Sequence, residues 1–104
     1  MIRHMVTWSL IPTDDTVTRT AQLEEIRRQL QDMVGKAPGL LSMQVYIRPL
    51  ESSNAQLALI SDFTDKEALA AYQIWPPHAE LARTLIRPIA DSRLCMDVEI
   101  PDAE

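Results

Sequence analysis

Apolar side chains recur along this 104-residue chain at two alternating spacings, and the order of those spacings limits the fold. A spacing of two is typical of a strand, whereas three to four is typical of an amphipathic helix. The spacing of two predicts strands over residues 2–10, 41–48 and 93–100, and a continuous apolar run at 57–60 predicts a strand over residues 56–63. The longer spacing predicts one helix over residues 17–34 and a second that starts after Thr64 and is interrupted at Pro76-Pro77. Strand, helix, strand, strand, helix, strand is the order of an α+β, ferredoxin-like βαββαβ fold with a four-stranded antiparallel sheet.

Turn and capping residues support these boundaries. Asp14 or Asp15 can cap the first helix, and Pro38-Gly39 is typical of a turn. The segment Thr64-Asp65-Lys66-Glu67 has the pattern of a capping box, with the Thr64 hydroxyl at the cap position. After the interruption, a new helical turn is expected to begin at Pro77 or His78.

The predicted topology leaves one face of the sheet without helices. Right-handed crossovers place the first and third strands side by side in the centre and both helices on one face. The opposite face would carry Met5, Ala58 and Ile60. Because an apolar face of that size usually marks a contact surface, we expect a homodimer that forms through the helix-free sheet face.

Composition narrows the class of protein. The length suits one domain over residues 1–104, and a net charge of −5 without a basic cluster argues against a nucleic-acid partner. There is no apolar run long enough to span a membrane and no pattern of a signal peptide at the start, so we expect no membrane partner and a cytoplasmic protein. The single Cys95 fits that compartment and is expected to be a small buried residue.

The sequence predicts neither a cofactor nor a metal site. The only glycines are Gly35 and Gly39, so the chain has no glycine-rich phosphate loop. Its two histidines, His4 and His78, have no partners at metal-ligand spacing.

Several short segments together resemble the stress-responsive A/B barrel (Dabb) domain family of the dimeric α/β barrel superfamily. They are Ile2-Arg3-His4-Met5-Val6, Pro38-Gly39-Leu40, residues 59–63, residues 68–73, Pro76-Pro77-His78, Ile86-Arg87-Pro88-Ile89 and Asp97. The resemblance implies a ferredoxin-like dimer. Many members have no assigned activity, while one plant member closes a polyketide by aldol condensation with a tyrosine and a histidine.

That pair carries over to Tyr72 and His78, and His4 matches a histidine of the cyclase's first strand. Leu57 and Trp75 stand where the cyclase has further histidines. By its chemistry, His78 can be a general base beside a carbonyl, with Tyr72 donating a hydrogen bond to the resulting enolate. The alternatives are a half-solvated histidine at a helix start and a tyrosine in the core.

A ligand between sheet and helices would meet further predicted site residues. His4 is either a satisfied interior histidine or a pocket wall. The other expected ligand contacts, which could instead only fill the core, are Trp8, Leu57, Leu59, Phe63, Trp75 and Leu85.

Three functions remain open at this point. The first is binding of a small apolar carbonyl compound, with cofactor-free cyclase-like or lyase chemistry. The second is a non-catalytic stress or binding protein, and the third is a cofactor-free monooxygenase or haem-degrading relative. A cavity of several hundred Å³ would favour a ligand over a packed interior.

Overall fold

A computed structural model describes residues 1–101, so residues 102–104 of the predicted domain lie outside the described part. The strands are β1 (Ile2–Leu10), β2 (Leu40–Tyr46), β3 (Leu57–Phe63) and β4 (Ala90–Glu99). The helices are α1 (Thr16–Gln31), α2 (Lys66–Ile74) and α3 (Pro76–Leu81), and α3 continues through a π-helical turn (Ala82–Ile86) and a 3-10 turn (Arg87–Ile89). No helix among residues 1–101 is long and apolar enough to cross a membrane.

The four strands form one antiparallel sheet in the order β2-β3-β1-β4. This confirms the ferredoxin-like α+β fold and the central position of the first and third strands. Met5 of β1 lies opposite Ile60 of β3 and opposite Met96 of β4, which fixes the register across the sheet centre. Residues 2–8 of β1 therefore have a defined neighbour on both sides.

The core lies between the sheet and the helices. Alternate residues of β1, beginning at Ile2, are buried, as the period of two predicts. On the helix side Val6 and Leu57 are each 1% exposed, and Ile26 and Leu30 of α1 are fully buried in the same core. Because α1 presents its apolar residues to one sheet face only, the helices leave the other face open.

Some helix boundaries differ from the predicted ones because turn and capping hydrogen bonds form there in place of the expected ones. The first helix ends at Gln31 instead of residue 34, because the chain continues in turns in which Lys36 and Ala37 donate to the Met33 carbonyl. The capping-box prediction named the wrong residue. Asp65 caps α2, since its side chain accepts from the Ala68 amide at 2.8 Å. α3 begins at Pro76, one residue earlier than expected.

The helix-free sheet face consists of the outward side chains of all four strands. Its centre is apolar, with Met5, Ala58, Ile60, Leu94 and Met96 in adjacent register positions. Leu94 and Met96 are 74% and 61% exposed in the single chain. At one end, Arg3 and Asp62 form an ion pair at 2.8 Å, and the Arg3 guanidinium lowers the pKa of that carboxyl.

Gly39 is expected to be intolerant of any side chain. Its φ is +80°, and an added Cβ would lie 2.5 Å from the Cβ of Ala68. Gly39→Ala should therefore combine left-handed strain of about 1–2 kcal/mol with overpacking of about 1–3 kcal/mol, measured by urea unfolding. Gly35 is the matched control, because it has φ +88° and open space around its Cβ position. Gly35→Ala should show only the strain, and equal losses at both glycines would contradict this account.

Candidate functional site

A cavity of about 650 Å³ opens between β1 and the α2–α3 segment. Its walls include five of the predicted site residues, which are His4, Trp8, Leu59, Tyr72 and His78. β1 supplies the first two from its inward face, and the interrupted helix supplies the last two. A cavity of this volume is in the range that small-molecule sites occupy.

The break between α2 and α3 brings Tyr72 and His78 together. Trp75 has an extended backbone (φ −65°, ψ 125°), so α2 ends and α3 starts in a new direction at Pro76. The rings of Tyr72 and His78 consequently lie 4.2 Å apart, centroid to centroid. Phe63 contacts the Tyr72 ring at 5.1 Å and fixes its position in the core.

His78 is a half-buried imidazole at the cavity wall. Burial is the main cause that lowers the pKa of His78, and electrostatic interactions with His4 and Arg93 act in the same direction. The Gln73 carbonyl raises the pKa somewhat, but the buried Nδ1 of His78 makes no hydrogen bond of ordinary geometry with the described residues. His78 is therefore neutral near pH 7 and able to accept a proton.

Tyr72 is 3% exposed, and burial raises the pKa of its hydroxyl. The hydroxyl stays protonated at physiological pH and donates to Sδ of Met33 at 3.7 Å. A thioether is a weak acceptor, so the Tyr72 hydroxyl is held by a weak partner.

His4 is a buried histidine at the cavity wall. It is 4% exposed and lines the cavity, while its Nδ1 lies 2.5 Å from Oδ1 of Asp97 on β4. The register places Asp97 directly opposite His4, although the two are separated by 93 positions along the chain.

Cys95 is exposed, which corrects the prediction that it is buried. β4 is an edge strand, and most of its side chains are exposed on both faces. Cys95 shares a side of β4 with Asp97, and together with His4 they place one ligand atom each within 4.8 Å of one another. Spacing along the sequence gave no sign of this cluster, because only the β1–β4 register creates it.

The remaining predicted contacts lie outside the walls of this cavity. Leu57 and Phe63 are core residues with 1% and 0% exposure. Trp75 and Leu85 are half-buried and pack against the core, and the Trp75 ring lies 6.4 Å from that of Tyr72. Their assignment as ligand contacts stays a prediction. The cavity also has polar walls that the sequence did not indicate, contributed by Gln73, Arg87, Asp91, Ser92 and Arg93.

The fold and the cavity together define the class: a ferredoxin-like α+β protein with a ligand-sized space between its sheet and its second helical segment. A family comparison agrees, since the model of the Stress responsive A/B Barrel Domain (Dabb) family matches residues 2–100. This chain belongs to the Dabb family. No functionally curated protein matches it.

Solved structures with the same fold have diverse descriptions. One is a dimeric protein of unknown function with a ferredoxin-like fold from Bacteroides fragilis (17% identity, 95% of each chain covered, TM-score 0.87). Another is a hydroxynitrile lyase from Passiflora edulis (15% identity, 97% of this chain and 94% of that chain, TM-score 0.76). A third is SnoaB, a cofactor-independent oxygenase from Streptomyces nogalater (14% identity, 95% and 91%, TM-score 0.72). At these sequence identities the structural similarity establishes the shared fold and nothing about activity.

Proposed function

We propose that this Dabb protein binds a small, largely apolar carbonyl compound in the cavity between β1 and the α2–α3 segment. The compound's α-proton would be transferred by groups of the chain itself, in lyase- or cyclase-like chemistry. The observation that carries the proposal is the juxtaposition of a neutral histidine and a protonated tyrosine at 4.2 Å on the wall of a 650 Å³ cavity. Trp8 and Leu59 supply apolar walls for the body of the ligand.

His78 would be the general base. Its lowered pKa keeps the imidazole uncharged at neutral pH, so it can take a proton from the carbon next to the carbonyl and later return it. Burial at the wall limits competition from water for the same nitrogen lone pair.

Tyr72 would stabilise the enolate oxygen that forms when the proton leaves. Its hydroxyl now donates to the Met33 thioether, and an anionic oxygen is a far stronger acceptor. The Tyr72 hydrogen bond is therefore stronger to the enolate than to Met33 in the free protein. An interaction that strengthens as the charge develops lowers the barrier to proton transfer.

A homodimer and a cytoplasmic location are parts of the same proposal. The Bacteroides fragilis neighbour is described as dimeric. In this chain the apolar helix-free face, with Leu94 and Met96 largely exposed, gives the surface for a symmetric contact. The lone Cys95 is consistent with a reducing compartment.

A second candidate is a binding protein without catalysis. It is favoured by one observation, namely that the Tyr72 hydroxyl already has a partner in Met33 and is almost fully buried. In that case the ligand would bind in the cavity but its α-protons would exchange at the solvent rate.

Exchange of the α-protons of an aromatic ketone in D₂O tests the proposal and separates the two candidates. Acetophenone and the larger 2-acetylnaphthalene are suitable probes, and NMR reports both their binding and the loss of their methyl protons. We expect protein-dependent exchange. Binding without exchange would support the second candidate, and failure of both ketones to bind would overturn both.

Tyr72→Phe should lower the protein-dependent exchange by about 10- to 100-fold, because a hydrogen bond to a charged oxygen is worth about 1.5–3 kcal/mol. Ketone binding should change much less, and stability should change little, since only a weak bond to Met33 is lost. An unchanged exchange rate would remove Tyr72 from the mechanism.

A further inference from the structure

Three side chains of different metal-ligand types meet on the helix-facing side of the β1–β4 pair. His4 lies directly opposite Asp97 in the register, and Cys95 precedes Asp97 by two residues on the same side of β4. Their ligand atoms all lie within 4.8 Å of one another. Imidazole nitrogen, thiolate sulfur and carboxylate oxygen are the three donors that zinc sites use.

The distances suit a tetrahedral ion. Zinc bonds of about 2.0–2.1 Å to nitrogen and oxygen and 2.3 Å to sulfur hold ligand atoms about 3.3–3.6 Å apart. Sγ of Cys95 is 3.7 Å from Nδ1 of His4 and 3.6 Å from Oδ1 of Asp97. Only the 2.5 Å pair of Nδ1 and Oδ1 must open, by less than about 1 Å, and the half-exposed Asp97 side chain has room to move.

We propose that His4, Cys95 and Asp97 form a binding site for one zinc-class divalent cation, with a fourth coordination position left open. A carboxylate and a thiolate would balance the two charges of the ion, and His4 is held in place by its burial at 4% exposure. The sequence did not predict this site. It is independent of the function proposed for His78 and Tyr72, although His4 also lines the cavity.

Protonation sets the conditions under which the site loads. A cysteine binds a metal ion as its thiolate, so the ion must displace the thiol proton. The test therefore belongs at mildly alkaline pH.

Titration of the reduced, full-length chain with Co²⁺ at pH 8 tests the proposal, because a thiolate–cobalt bond absorbs in the near ultraviolet. One equivalent should produce that absorption, and excess Zn²⁺ should remove it. Cys95→Ser should abolish the band. Asp97→Asn should weaken Co²⁺ binding at least about 100-fold. Replacing a residue that only hydrogen-bonds to a metal ligand already lowers metal affinity about 10- to 100-fold, and Asp97 is itself a proposed ligand. Both positions are exposed enough for the variants to fold.

Glu99→Gln is the matched control, because Glu99 lies two residues beyond Asp97 on the same side of β4 and outside the cluster. It should bind Co²⁺ as the parent chain does. Zn²⁺ should also raise the melting temperature of the parent chain by several degrees and leave that of Cys95→Ser unchanged. Absence of the thiolate–cobalt band, or equal affinity in Asp97→Asn and the parent, would overturn the proposal.

Discussion

His78→Gln is expected to reduce protein-dependent exchange of the ketone α-protons by about 10²- to 10⁴-fold, the range that a positioned general base contributes. Glutamine keeps much of the side-chain volume and polarity but cannot accept the proton at neutral pH. Because His78 lies at the wall of the cavity, ketone binding should be largely retained. NMR measurement of exchange and binding on the same samples gives both quantities.

The pH profile provides a separate test of the same residue. Burial lowers the pKa of His78 below its ordinary value of 6.5, so the base form persists to more acidic pH than for a free histidine. As pH falls, the loss of exchange should therefore come at a more acidic pH than the ordinary histidine pKa would give. Glu80→Gln, an exposed change on the same helix, should leave the rate and profile unaltered. Undiminished exchange in His78→Gln would contradict the assignment.

Met96→Asp is expected to convert the proposed dimer into a monomer. Met96 lies on the edge strand β4, on the helix-free sheet face, and Met5 of β1 separates it from Ile60 of β3. In a two-fold contact the substitution occurs twice, and each buried, unpaired carboxylate carries a penalty of several kcal/mol. The dimer dissociation constant should rise by at least about 10²- to 10³-fold, measured by sedimentation or light scattering at micromolar concentration.

Val17→Asp is the matched control for this change. Val17 is an apolar residue of α1 that is 81% exposed, and α1 lies on the side of the sheet opposite to the helix-free face. The same substitution there should leave the oligomeric state unchanged. If the parent chain is itself a monomer at these concentrations, or if Met96→Asp remains a dimer, the helix-free face is not the dimer interface.

Periodicity predicted the fold because burial follows it closely in the central strands. The alternating burial of β1 and the buried residues of α1 are what the spacings of two and three to four indicate. The helix boundaries were harder to predict, because neighbouring side chains can each cap the same helix. Thr64 and Asp65 are both able to cap α2, and only the structure shows that Asp65 does.

The candidate site was predictable in part. Six residues turn a continuous helix through about 600°, which would place Tyr72 and His78 on different sides. The family resemblance paired the two residues, and the break between α2 and α3 brings their rings to 4.2 Å, centroid to centroid. The cluster of Cys95 and Asp97 with His4 could not be predicted from the sequence, because it depends on the strand register and on the edge position of β4.

A crystal structure of the protein grown with saturating acetophenone tests the central claim most directly. The account predicts one ketone per chain in the cavity, with its ring against Trp8 and its methyl carbon facing the His78 imidazole. The carbonyl oxygen should accept a hydrogen bond from the Tyr72 hydroxyl in place of the Met33 contact. A cavity that stays empty of ketone, or that the chain's own side chains fill, would contradict the account.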